Sequence, residues 1–137
     1  MIAPPTTAAK SLAAAPLALL AGFYGGLHPL IQTLVVLIGL DFASGLILAK
    51  TTGTISSDAS YRGMGKKAMM LILVGAATAY NATQPLGFDA GAAVAGFFCT
   101  TELISIIENA GRLGLPIPKP LTDALAKVGS GNGEPKP

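Results

Sequence analysis

Apolar and polar positions alternate in long blocks along this chain. Residues 30–49, LIQTLVVLIGLDFASGLILA, form the clearest apolar block; as a helix rising 1.5 Å per residue they cover about 30 Å, the thickness of a bilayer's hydrocarbon core. Residues 68–84, AMMLILVGAATAYNATQ, predict a second, shorter span whose far end is polar at Tyr80, Asn81 and Thr83. Pro85 and Gly87 then turn the chain, and residues 88–109, FDAGAAVAGFFCTTELISIIEN, predict a third span. Residues 50–67, KTTGTISSDASYRGMGKK, are rich in turn formers and read as a loop.

The two ends are less regular. Residues 1–10 read as a loose terminus. Residues 11–27 are apolar but carry Pro16 and Gly22, Gly25 and Gly26, at the short limit for spanning. They predict either an interfacial helix or a fourth span. A signal peptide is disfavoured, because no small-x-small cleavage site precedes the next apolar block. Beyond residue 110, Gly111 and Gly114 supply helix stops, and Pro116, Pro118 and Pro120 prevent continuation. Residues 121–128, LTDALAKV, predict a short amphipathic turn with Asp123 and Lys127 one turn apart, and 129–137 a disordered tail.

Composition turns these helices into membrane helices. Apolar residues make up 51% of the chain and charged residues 12%. Soluble domains average about 25% charged. A chain of 137 residues, one domain in length, cannot hide that much apolar surface from water. The expected fold is therefore an all-α integral membrane protein, with three core spans, an N-terminal apolar helix and a short C-terminal tail. The lone cysteine, Cys99, excludes an internal disulfide and sits in an apolar run as a small hydrophobe.

Lys and Arg set the orientation. The 50–67 segment holds Lys50, Arg62, Lys66 and Lys67, which read as topology anchors; the tail holds Arg112, Lys119, Lys127 and Lys136, and the turn at 84–89 holds none. The loop and the C-terminus are thus expected on the cytoplasmic side.

Besides Asp89 at the outer start of the third span, three acids fall within or near the spans: Asp41, Glu102 and Glu108. A charge at the bilayer centre costs roughly 2.5–3.5 kcal/mol on insertion scales. Asp41 lies about 13 Å from the cytoplasmic end of its helix, level with about Ala76 and Thr100 on the other two, and Ser44 lies near the depth of Glu102. No Lys or Arg is expected within the membrane to neutralise it. On the third span, at 100° per residue, Thr101, Glu102, Ser105, Glu108, Asn109 and Arg112 fall inside one arc of about 120°. Glu108 and Arg112 are spaced i, i+4 in the favourable order for a pair. Hydrocarbon cannot solvate that arc, so it must face other helices or water. A three-helix protomer offers few partners, which argues for self-association around a polar interior. Hydrogen bonding within one protomer is the plainer alternative. Gly91/Ala95 and Ala92/Gly96 add small-xxx-small spacing for close packing.

Enzymatic chemistry is not expected. GMGKK at 63–67 is similar to a phosphate loop, but Ser60 stands where the motif's first glycine is needed. His28 is the lone histidine, and no catalytic set, metal cluster or nucleotide fingerprint is present. No cofactor, metal or nucleic-acid partner is expected.

Four stretches carry a resemblance: FYGGLHPL (23–30), LDFASGLILA (40–49), ISSDASYRGMGKK (55–67) and ELISIIENAGRLGLPIPKPL (102–121). In this order they resemble phage holins of the toxin-secretion/phage-lysis type. The resemblance implies one holin-like membrane domain over residues 1–128. It also implies a multi-pass protein of the bacterial cytoplasmic membrane that forms homo-oligomeric lesions. An endolysin or a toxin would then cross as indirectly released cargo. Asp41, Ser44, Thr101, Glu102, Ser105, Glu108, Asn109 and Arg112 would form the seam between copies or the lumen. A non-lytic scaffold, an antiholin-type regulator and a small ion channel remain as other readings.

Overall fold

A computed structural model describes residues 7–130, and every regular element in them is a helix: α1 (Thr7–Gly25), α2 (Pro29–Thr52), α3 (Ser57–Thr83), α4 (Ala90–Arg112) and α5 (Lys119–Ser130). The predicted tail beyond Ser130 lies outside the described residues. Two helices, α2 and α4, are long and apolar enough to cross a membrane by length and composition.

Local chemistry fixes the ends. The His28 side chain accepts from the Leu30 amide, with Pro29 in the first turn where a missing N–H costs nothing. Gly53 closes α2 at φ 68°, a left-handed cap that only glycine adopts cheaply. Asp89 caps α4 by accepting from the Ala92 amide at 2.8 Å. Tyr24 and Gln32 tie α1 to α2 by donating to the carbonyls of Gln32 and Leu27 across the bend.

α3 departs from expectation. Of the segment 50–67 only residues 53–56 form a loop: residues 50–52 complete α2, and from Ser57 one continuous 27-residue helix runs on. The turn-forming residues mislead here. Ser56, Ser57 and Asp58 work as a helix start, with Asp58 on the positive end of the dipole, and Gly63 and Gly65 are tolerated inside the helix. The second apolar block is thus the later part of a longer helix whose first turns are polar. The segment after α4 also differs: the chain folds back through Pro116–Pro118, Ile117 lies against Gly111, and α5 is a 12-residue helix beginning at Lys119, with Pro120 in its first turn.

α4 is the hub. α2 and α3 each pack along α4 and hardly against one another, and α5 docks on its end. The inward positions recur every three or four residues on α2 (Leu34, Ile38, Asp41, Gly45 and Leu48) and α3 (Gly63, Lys67, Met70, Val74 and Ala77), and at three- and seven-residue steps on α4 (Ala92, Ala95, Glu102 and Asn109). This spacing is that of a heptad seam. Leu34, Val74 and Ala95 form its dry centre. Gly91 brings α4 onto α3, where a Cβ would meet the Thr78 Oγ1 at 2.0 Å. The small-residue spacing on α4 therefore serves packing inside the protomer. Leu34 is the one large side chain fully buried among the described residues, and Leu17, Leu20, Val36, Ile47, Ile72 and Phe97 are all exposed. Apolar surface on that scale is suited to lipid.

Candidate functional site

Over about two turns of the bundle the heptad seams turn polar. α2 contributes Asp41, α3 contributes Lys67, and α4 contributes Glu102 and Asn109. The Lys67 ammonium donates to Asp41 Oδ2 at 2.7 Å and also to Glu102 Oε2. Asn109 Nδ2 donates to Ser44 Oγ at 2.9 Å and to Asp41 Oδ1 at 3.3 Å. The Ser44 hydroxyl donates to the Asp41 carbonyl of its own helix at 3.0 Å. Glu102 is 2% exposed and Asp41 9%. A lysine between two carboxylates meets the requirement that a buried charge be paired and hydrogen-bonded.

Lys67 corrects the expectation that no cation is available to Asp41. The depth count had assumed a helix beginning at Ala68. Because α3 begins eleven residues earlier, Lys67 lies three turns inside it and level with Asp41. Its side chain turns inward, whereas Lys50, Arg62 and Lys66 are exposed. Arg62 and Lys66 stand one turn apart beside Asp58 on the outer face of α3.

The polar arc of α4 divides. Glu102 and Asn109 face the bundle and Ser105 is half-buried between them. Thr101, Glu108 and Arg112, on the other flank, are exposed, and no ion pair joins Glu108 to Arg112. Thr101 donates to the Phe97 carbonyl in its own helix. A wheel drawn from sequence gathers all six in one arc without showing that a neighbouring helix covers only part of it. Among the described residues no group of His, Cys, Asp and Glu could hold a metal.

Comparison with known proteins assigns the sequence to a family. Residues 18–130 match the model of the bacteriophage holin family, and the chain belongs to that family. It is a family of membrane proteins, not of enzymes. Its relatives include a protein of Halalkalibacterium halodurans named only as uncharacterised, 36% identical over 108 residues, 75% of this chain and 80% of that one. A Listeria monocytogenes protein, likewise named, is 32% identical over 81% of this chain and 79% of its own length. In Clostridium perfringens an uncharacterised 14.9 kDa protein in the nagH 3′ region is 35% identical, over 73% of this chain and 76% of its own. No solved structure matches the chain.

Proposed function

We propose that this protein is a holin that self-associates in the bacterial cytoplasmic membrane and forms lesions through which an endolysin, or a toxin, crosses. The observation that carries this reading is the division of the α4 arc. The inner carboxylates are paired with Lys67 within one protomer, while Glu108 and Arg112 are exposed and form no ion pair with each other. Lipid solvates that flank poorly, and a second copy, or water in an assembled lumen, solvates it better. In a pair of parallel copies Glu108 of each would lie within reach of Arg112 of the other. The seam between copies is thus the outer flank of the arc, and Asp41, Glu102, Ser44 and Asn109 hold each protomer together.

The topology that fits is three spans, α2, the apolar part of α3 and α4, with the loop at 53–56 and the C-terminus in the cytoplasm. Lys50, Arg62, Arg112, Lys119 and Lys127 then share the cytoplasmic side, and Lys66, next to Lys67 but on the outer face of α3, reaches toward it along the helix. α1, with Leu12, Leu17, Leu19 and Phe23 exposed, lies in the outer interface or adds a fourth span.

Inducible expression in a bacterium, with release of a cytoplasmic enzyme as readout, tests the proposal. Release by the wild type and its loss in Glu108→Leu/Arg112→Leu, at equal membrane content, is the expected result. A protein that accumulates in the membrane without releasing the reporter would contradict it. That outcome would favour a second reading, a non-lytic regulator of the same family, which the internally neutralised cluster also supports.

A further inference from the structure

α2 and α3 diverge below the dry centre of the bundle, and a crevice of about 220 Å³ opens between them. Its floor is Asp41, Lys67 and Asn109; its walls include Gly45, Ser60 and Gly63 and also the apolar Phe42, Leu46, Ala49 and Ile55. The two glycines withdraw the walls: a Cβ on Gly63 would meet nothing within 4 Å, and one on Gly45 would touch only Asn109 at 3.7 Å. At the far end the layer of Leu34, Val74 and Ala95 closes the path.

We propose that this crevice is a one-sided aqueous vestibule, admitting water and small water-soluble solutes to the Asp41–Lys67 pair from the end that carries Ser56 and Ser60. The space is roomy enough for a few waters, and those on the floor find the two to four polar partners that a buried water needs. The floor supplies a carboxylate, an ammonium and an amide, and the wall supplies the Ser60 hydroxyl. Two carboxylates share one ammonium there, and their remaining lone pairs call for further hydrogen-bond donors, which water supplies. A lipid tail in the same place would set hydrocarbon against an ion pair. The proposal concerns the single protomer and does not depend on lesion formation.

The test is thiol accessibility in the full-length protein with Cys99→Ala, held in lipid nanodiscs and exposed to a charged, membrane-impermeant methanethiosulfonate reagent. Gly45→Cys lines the crevice, whereas Ile47→Cys, on the same helix and nearer its charged end, lies on the exposed face. Depth alone would make Ile47→Cys the faster. The vestibule makes Gly45→Cys faster by tenfold or more, and Gly63→Cys on the opposite wall reacts as readily. Protection of both crevice thiols, with labelling recovered after denaturation, overturns the proposal, because lipid or a second copy then fills the space.

Discussion

Lys67 and Asp41 are 26 positions apart in the chain and meet at 2.7 Å across the boundary between two helices that otherwise scarcely touch. The contact, with its Glu102 branch, joins α2, α3 and α4 in one polar layer. Replacing Lys67 by Met strands two carboxylates in the bundle. Removing one partner of a buried pair costs about 3–5 kcal/mol, and the wet crevice sets the expectation near the low end, about 3 kcal/mol. Unfolding in mixed micelles, followed by helix content, measures it. Adding Asp41→Leu and Glu102→Leu should recover most of the loss, since a well-packed apolar layer replaces an ion cluster with little penalty.

Asn109 donates to both Ser44 and Asp41, yet carries no charge. Asn109→Ala is expected to cost about 1–2 kcal/mol in the same assay, well below Lys67→Met. An equal cost would shift the weight of the layer from the ion pairs to the amide.

Gly91 and Gly75 differ by what surrounds them. A Cβ at Gly91 meets the Thr78 side chain at 2.0 Å, and one at Gly75 meets nothing within 4 Å. Gly91→Ala should destabilise the bundle by about 1–3 kcal/mol through overpacking. Thr78→Ala removes the nearest atom and should restore part of that loss. Gly75→Ala should be neutral or stabilising by up to about 1 kcal/mol, the ordinary gain from removing glycine from a helix.

Much of this was readable from residue order. The apolar blocks at 30–49 and 88–109 locate α2 and α4, and the acids within them mark the polar layer, because a carboxylate is conspicuous in a run of aliphatic side chains. Lys67 was not readable as a partner. It follows Lys66 in a stretch of serines and glycines, and two adjacent lysines at the edge of an apolar block look like an interfacial anchor. The distinction lies in helix phase: Gly63, Lys67, Met70 and Val74 recur at four, three and four residues, on one stripe, whereas Lys66 falls off it. That signal is visible once α3 is taken to start at Ser57. The division of the α4 arc was out of reach for a different reason, since helical periodicity gives the angle of each residue but not the angles its neighbours cover.

Leu34 tests the dry centre separately. It is fully buried against Val74 and Ala95, and Leu34→Ala should cost about 2–5 kcal/mol by leaving a void. A cost below 1 kcal/mol in micelles would mean that α2 and α4 slide together to fill the gap.

The neutralisation of buried carboxylates within a single protomer is measured most directly by a double-mutant cycle on Lys67→Met and Glu102→Gln, in the dispersed, monomeric protein. A coupling energy of about 2–3 kcal/mol is predicted, because the second substitution removes the charge that the first leaves unpaired. Additive losses, with a coupling within about 0.5 kcal/mol of zero, would contradict the account and return the carboxylate to some partner outside the protomer.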